Sequence, residues 1–232
     1  MPDERSFPRF AAEFDYAKSV GKAENQWNPK SLQINKYLNR PLASVIARAV
    51  YRTRVTPNQL TGLAFFIGLA GAYSFFQGRP GAFVLGGILT QLSSIVDCSD
   101  GMLARARGQM SDFGAYLDLF LDRLNEFFLM TGCAVGYFRY SGRLSLLIIG
   151  LSGVGLYFLE TSLFYLIKIF ANDRKKGETA DNRGWLLFLI FLFAVTNKLD
   201  YGLGLLFIGS LLINIFLTIN FFRSWKAPAA LR

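Results

Sequence analysis

The sequence contains no histidine and only two cysteines among its 232 residues. Without histidine, a Ser-His-Asp triad, a histidine-ligated zinc site and a histidine general base are all excluded. Cys98 and Cys133 both lie in apolar stretches, so neither a disulfide framework nor a cysteine metal cluster is expected. Any acid–base chemistry must therefore depend on carboxylates.

Charged residues are also scarce, at 18% of the chain, whereas 52% of the chain is hydrophobic and 23 residues are phenylalanine. This composition leaves too much apolar surface for a soluble domain of this size. The polar N-terminal stretch does not match the basic start and apolar core of a cleaved signal peptide. We therefore expect an integral membrane protein that retains its first span.

The net charge of +9 arises from basic residues that lie mainly between the apolar runs. In a membrane protein these positions meet anionic headgroups or phosphorylated substrates. Nucleic acid is the alternative partner for such a charge, and we expect no nucleic-acid binding.

Long charge-free runs predict the membrane spans. The run from Thr56 to Gly78 is long enough to cross a hydrocarbon core of about 30 Å at about 1.5 Å per residue. Further spans are predicted at Gly81 to Leu103, Phe113 to Phe138, Leu144 to Phe170, Gly184 to Asn197 and Tyr201 to Phe222. The predicted fold class is an all-α integral membrane protein with six transmembrane helices.

Lysine and arginine concentrate before the first span, after the second and after the fourth. Because cytoplasmic loops carry the positive excess, both termini are predicted to be cytoplasmic. The predicted parts are a cytoplasmic segment (1–55), the transmembrane domain (56–223) and a cytoplasmic tail (224–232).

An amphipathic helix is predicted within the first segment. Apolar residues recur there at helical spacing among basic ones, which favours a helix lying along the membrane interface. The alternative is a soluble helix that packs on another part of the chain. The apolar positions are Leu38, Leu42, Val45, Ile46 and Ala49.

Six of the 16 acidic residues fall between Asp97 and Glu126, near one end of the second and third predicted spans. Asp97 and Asp100 are three residues apart, and Asp118 and Asp122 are four apart, so each pair occupies one helix face. Four such carboxylates repel one another unless a cation is bound. A donor set without histidine or thiolate favours Mg²⁺ or Mn²⁺, and four carboxylates are enough to bridge two ions. The alternative is structural salt bridges with Arg105, Arg107 and Arg123.

The run from Asp97 to Arg105 reads DCSDGMLAR and is followed by Gly114, Asp118 and Asp122. This pattern resembles the signature of the CDP-alcohol phosphotransferase family, DxxDGxxAR followed by GxxxDxxxD. The stretch from Thr56 to Thr61 is similar to the opening of that family's first span. The resemblance implies an enzyme that transfers a substituted phosphate from a CDP-alcohol to an acceptor hydroxyl, releasing CMP. Within the family, the chain resembles the di-inositol-phosphate-phosphate and phosphatidylinositol-phosphate synthases.

The resemblance also implies roles for individual residues. Asp97, Asp100 and Asp118 would hold the metal ions, and Asp122 would complete the cage and act as the general base. The CDP group would be bound by Asn58, Thr61, Gly101, Ala104, Arg105, Ser111 and Gly114.

The substrates stay open at this stage. The donor is CDP-diacylglycerol or a soluble CDP-alcohol such as CDP-inositol, and the acceptor is an alcohol or a phosphorylated alcohol. Glu160, in the fourth span, is a candidate acceptor contact or a structural ion-pair member. Lys168 and Arg174 either receive a phosphorylated acceptor or only reflect the positive-inside rule.

Other arrangements use the same residues. A divalent-cation transporter or a non-catalytic membrane scaffold could carry the same carboxylates, although a transporter predicts them nearer the middle of its spans. Small residues at Gly202, Gly204 and Gly209 permit close helix approach within the bundle or in a homodimer, which is the expected assembly.

Overall fold

The computed structural model describes residues 35–170 and 182–225, with side chains described for 37–166 and 184–222. All regular secondary structure in this part of the chain is helical. A short π-helical turn, Asn35–Asn39, leads into the first α-helix. The α-helices are α1 (Arg40–Val50), α2 (Pro57–Phe76), α3 (Pro80–Arg107), α4 (Asp112–Ser141), α5 (Leu144–Phe170), α6 (Asn182–Val195) and α7 (Leu199–Trp225).

Each predicted span corresponds to one helix from α2 to α7, and local sequence explains where several begin and end. Thr56 caps α2 in a capping box with Gln59, and a proline occupies the first turn. Gly108 ends α3 in a left-handed conformation, with φ of 66°. Ser111 then caps α4 by accepting a hydrogen bond from the backbone N–H of Gly114.

Four helices are long and apolar enough to cross a membrane, namely α2, α3, α5 and α7 within the described residues. Helix α6 is apolar but has only 14 residues. Helix α4 has 30 residues and contains Asp118, Asp122, Arg123 and Glu126, so its composition is less apolar than that of the other long helices. The predicted all-helical membrane fold is therefore confirmed, and four of the six predicted spans meet these criteria within the described residues.

Helix α2 packs against both α3 and α4, α5 packs against α4 and α7, and α6 lies against α3. Glycines allow α2 and α4 to approach closely. A Cβ atom added at Gly132 would lie 2.7 Å from the carbonyl oxygen of Ala72, and one at Gly136 would overlap the carbonyl oxygen of Phe75. The main buried cluster, which includes Phe83, Leu129 and Tyr137, lies on the side of the bundle away from the aspartates.

The N-terminal helix α1 packs on α3. Its buried face consists of Ala43 and Ala47 against Met102. On its other side Leu42 and Val45 are 45% and 64% exposed. Helix α1 therefore contacts the rest of the chain through small residues and presents larger apolar residues outward. Its position along the membrane interface stays a prediction.

Buried amides attach the start of this segment to α3. The side chain of Asn39 is 1% exposed. Its Nδ2 donates to the Ser94 hydroxyl at 2.9 Å, and its Oδ1 accepts from Gln91 Nε2 at 2.5 Å. Since a buried amide without partners would be destabilising, these contacts determine where the segment lies on α3.

Candidate active site

Three carboxylates converge where α3 and α4 meet. Asp97, Asp100 and Asp118 each offer one oxygen, and these oxygens all lie within 4.8 Å of one another. Asp100 is buried, whereas Asp97 and Asp118 are half-buried. Like charges at this separation and burial favour a bound cation between them. The group contains only oxygen donors, so it fits Mg²⁺ or Mn²⁺ better than zinc.

Asp122 is the fourth predicted member of the cage. It lies one turn beyond Asp118 on α4 and is half-buried. It does not belong to the group of carboxylate oxygens within 4.8 Å of one another. Its roles as a metal ligand and as the general base remain predictions.

Thr61 connects α2 to the acidic group. Its hydroxyl is 2.5 Å from Oδ2 of Asp100 and donates to it. Both side chains are buried, with exposures of 5% and 7%. The hydrogen bond fixes Oδ2 of Asp100 and so restricts the orientation of the carboxylate, as expected for a metal ligand.

Asn58, Ser111 and Gly114 meet where α2 and α4 begin. A Cβ atom added at Gly114 would lie 3.0 Å from Oγ of Ser111 and 3.2 Å from Oδ1 of Asn58. Glycine therefore lets these two polar side chains approach the α4 backbone. The Ser111 hydroxyl also has a structural task, because it accepts the Gly114 N–H at 3.0 Å.

Arg105 folds back along α3 towards Gly101. A Cβ atom at Gly101 would lie 3.3 Å from Nη1 of Arg105, so the glycine leaves room for the guanidinium. Ala104 is half-buried one position earlier, and Arg105 itself is exposed. The residues predicted to bind CDP thus form separate small groups of contacts, Gly101 with Arg105, Thr61 with Asp100, and Asn58 with Ser111 and Gly114. Their role in CDP binding stays a prediction.

Glu160 lies away from the aspartates. It lines a cavity of about 360 Å³ among α4, α5, α6 and α7, together with Tyr157, Trp185 and Ser210. The Ser210 hydroxyl donates a hydrogen bond to its carboxylate. The side chain of Lys168 and the whole of Arg174 lie outside the described residues.

A buried polar cluster on the far side of Asp122 was not predicted. Glu126 is 0% exposed and forms an ion pair with Arg123, whose Nη1 lies 2.9 Å from its carboxylate. The same carboxylate accepts a hydrogen bond from the Tyr157 hydroxyl at 3.1 Å. The cluster joins α4 to α5 beside the acidic site. The i,i+3 spacing of Arg123 and Glu126 within an apolar helix was the available signal.

Comparison with known proteins agrees with this architecture. The family model of CDP-alcohol phosphatidyltransferases matches residues 54–225. An archaetidylinositol phosphate synthase of Pyrococcus horikoshii is 36% identical over 104 residues, which is 45% of this chain and 53% of that protein. A bifunctional IPC transferase and DIPP synthase of Archaeoglobus fulgidus is 30% identical over 167 residues, which is 72% of this chain and 33% of that protein. The matches thus span about half the length of the first relative and a third of the second.

Solved structures show a similar fold. Phosphatidylinositol phosphate synthase of Mycobacterium tuberculosis with CDP-DAG bound superposes with a TM-score of 0.62 at 24% identity, covering 83% of this chain and 98% of that one. The same synthase in complex with manganese and citrate gives the same TM-score and identity, covering 82% and 92%. The fold is that of a multi-pass membrane protein. Because the family model covers most of the sequence, including the aspartate motif, the chain belongs to the CDP-alcohol phosphatidyltransferase family.

Proposed function

We propose that this chain transfers a substituted phosphate from a CDP-alcohol to a hydroxyl group of an inositol phosphate, forming a phosphodiester and releasing CMP. The observation that carries the proposal is the convergence of carboxylate oxygens from Asp97, Asp100 and Asp118 within 4.8 Å. Two of the relatives are named for products that contain an inositol phosphate, which supports this acceptor.

In the proposed reaction the acceptor oxygen attacks the phosphorus atom that bears the donor's alcohol. The bond from that phosphorus to the bridging oxygen of CMP breaks, and CMP leaves with the electron pair. Asp122 accepts the proton of the attacking hydroxyl. Bound Mg²⁺ or Mn²⁺ ions, two in this proposal, would neutralise the pyrophosphate and the charge that develops on CMP.

The chain's own residues would hold the donor. Arg105 presents a planar guanidinium suited to phosphate oxygens, and Gly101 leaves space for it on α3. Asn58 and Ser111 offer polar groups at the start of α2 and α4, with Gly114 allowing close approach. Asp97, Asp100 and Asp118 would be the metal ligands, with Asp122 as a fourth.

The phosphate of the acceptor requires a cationic contact. Lys168 and Arg174 are the proposed groups because they are the first basic residues that the sequence offers after the start of α5, a helix that begins at the end of α4 opposite to the aspartates and runs back. The donor is proposed to be lipid-linked or a soluble CDP-alcohol such as CDP-inositol. Glu160 is the less suitable acceptor contact, since its carboxylate binds Ser210 in a mainly apolar cavity.

The proposed topology places six spans, α2 to α7, within residues 56–223, with α1 on the cytoplasmic surface and both termini inside. Exposed Leu42 and Val45 support contact between α1 and lipid. A homodimer is proposed as the assembly. Cysteine-labelling of single-cysteine variants in sealed vesicles would test the orientation, and labelling of the 224–232 tail from the outside would contradict it.

The decisive experiment measures CMP release by the purified protein in detergent with Mg²⁺. CDP-diacylglycerol and CDP-inositol serve as donors, and inositol and inositol phosphate serve as acceptors. Product requiring inositol phosphate is expected, whereas failure with every CDP donor would overturn the proposal.

A pair of variants tests the proposed base in the same assay. Asp122→Asn should abolish turnover while leaving CMP binding measurable, because it removes the proposed proton acceptor while Asp97, Asp100 and Asp118 remain to hold the metal. Asp112→Asn is the matched control, since Asp112 is an exposed residue in the first turn of the same helix. Full activity of Asp122→Asn would remove Asp122 from the role of general base.

A further inference from the structure

We propose that Arg107 is a positioning residue for nucleotide binding, acting as a clamp that orients the start of α2 against the aspartate helix. Arg107 is the last residue of α3, two positions beyond the DxxDGxxAR motif that ends at Arg105. The inference rests on the proposed function, because it concerns how the CDP site is held.

The guanidinium of Arg107 binds the connection between α1 and α2. Its Nε donates to the Tyr51 carbonyl at 3.2 Å, and its Nη1 donates to the Val55 carbonyl at 2.5 Å. Its Nη2 lies 2.6 Å from the Val50 carbonyl, 2.8 Å from that of Tyr51 and 3.0 Å from that of Thr53. One side chain thus contacts four carbonyl oxygens in a segment of six residues.

Chemistry explains why arginine suits this position. The last carbonyls of a helix lack intrahelical partners and carry partial negative charge, so a cation at the end of α1 is favourable. The planar fork of arginine offers five N–H donors, whereas lysine offers three from a single nitrogen. Cζ of Arg107 also lies 5.9 Å from the centroid of the buried Tyr51 ring, which holds the guanidinium plane in place.

Hydrogen bonds hold the backbone on both sides of the clamp, at the end of α3 and in the connection between α1 and α2. On the α3 side, Gly108 and Gln109 close the helix by hydrogen bonds to the carbonyls of Arg105 and Ala104. On the other side, the Thr53 N–H donates to Val50 at 2.9 Å, and the Val55 N–H donates to the Thr53 hydroxyl at 3.2 Å. The capping box at Thr56 follows directly. A displacement of this segment would therefore move the start of α2 as a unit.

The start of α2 carries two side chains of the site. Oδ1 of Asn58 lies beside Gly114, and the Thr61 hydroxyl binds Asp100. Arg107 is therefore coupled to the donor site through the backbone from Val55 to Thr61 and touches no reacting atom. Loss of the clamp should weaken nucleotide binding more than it slows the chemical step, because the aspartates on α3 and α4 stay in place.

The test uses full-length protein in detergent with Mg²⁺ and CMP as the probe, since CMP is common to every CDP-alcohol donor. Arg107→Lys and Arg107→Gln should each bind CMP about tenfold more weakly, equivalent to about 1.4 kcal/mol. Arg54→Gln is the matched control, because it removes an exposed positive charge from the same connection. With a CDP donor, KM should rise by a similar factor while kcat changes little.

Several outcomes would overturn the clamp. Arg107→Lys binding CMP as tightly as the wild type would show that charge alone matters, and an equal loss in Arg54→Gln would show a general electrostatic effect. If the variants fail to fold, amide hydrogen exchange of the wild-type protein tests the clamp instead. CMP with Mg²⁺ should slow exchange at the amides of Thr53 and Val55 by reciprocal coupling, and unchanged exchange would count against the clamp. A wild type that binds no CMP would instead contradict the proposed function itself.

Discussion

Replacement of Thr61 by valine tests whether α2 orients the metal-binding carboxylate. Valine has nearly the same shape but replaces the hydroxyl by a methyl group, so it removes the donor that lies 2.5 Å from Oδ2 of Asp100. The buried carboxylate then loses a hydrogen bond. Bonds of this kind to charged groups are worth about 1.5–3 kcal/mol.

That loss predicts the size of the effect on metal binding. Since about 1.4 kcal/mol corresponds to a factor of ten, the affinity for Mg²⁺ should fall by about 10- to 100-fold. The Mg²⁺ concentration for half-maximal CMP release should rise by the same factor, whereas the rate at saturating Mg²⁺ should change much less. Direct Mn²⁺ binding, followed by electron paramagnetic resonance, gives a second readout that does not depend on turnover.

The control for this prediction is Thr61→Ser, which keeps the hydroxyl and should keep most of the Mg²⁺ affinity. Thr61 is also a predicted CDP contact, so donor KM must be measured separately at saturating Mg²⁺. An unchanged Mg²⁺ dependence in Thr61→Val would refute the reasoning. A change confined to donor KM would assign Thr61 to nucleotide binding alone.

Two glycine substitutions provide further tests. Gly132→Ala should lower the unfolding temperature in detergent, because the added Cβ would lie 2.7 Å from the Ala72 carbonyl oxygen. Overpacking of this kind costs about 1–3 kcal/mol of unfolding free energy, which exceeds the roughly 0.5–1 kcal/mol gained by alanine over glycine in a helix. Gly155→Ala, with nothing within 4 Å of the added atom, should be neutral or stabilising, and equal behaviour of the two variants would contradict close packing of α2 on α4. Gly101→Ala should raise donor KM severalfold with little effect on stability, because the added Cβ would lie 3.3 Å from Nη1 of Arg105 and displace the guanidinium. An unchanged KM would argue that this glycine does not determine where the guanidinium lies.

The sequence was sufficient to predict the helices and three converging carboxylates of the acidic group, Asp97, Asp100 and Asp118. Charge-free runs predict membrane-length helices, because placing even one charged side chain in the hydrocarbon core is unfavourable. The spacing of Asp97 and Asp100 was enough to place both on one face of α3, since helix geometry is local. The limits of α2, α3 and α5 differ from the predicted spans by a few residues at most.

Contacts between distant segments could not be read in the same way. The clamp joins Arg107 to carbonyl oxygens 52 to 57 residues earlier. Every residue has a backbone carbonyl, so residue types do not indicate which carbonyls Arg107 binds. From the sequence, Arg107 is therefore interpreted only as a cytoplasmic positive charge or as a salt-bridge partner of the aspartates. Similarly, Gln91 and Asn39 are ordinary polar residues in sequence, and only the fold shows that they are buried against each other.

Helix α3 combines the features on which the proposed site depends. Asn39 and Ala43 hold the N-terminal segment on its side, Asp97 and Asp100 supply the acidic group, and Arg107 binds the connection that follows α1. Because these contacts come from one helix, a shift of α3 along its axis would move Asp97, Asp100 and the clamp together, whereas Asp118 would stay with α4. The start of α2 would follow through that clamp, so the distance between Thr61 and Asp100 would be preserved. Activity should therefore be more sensitive to substitutions that separate α2 from α3 than to those that loosen α5 and α7, which contribute none of the converging carboxylates.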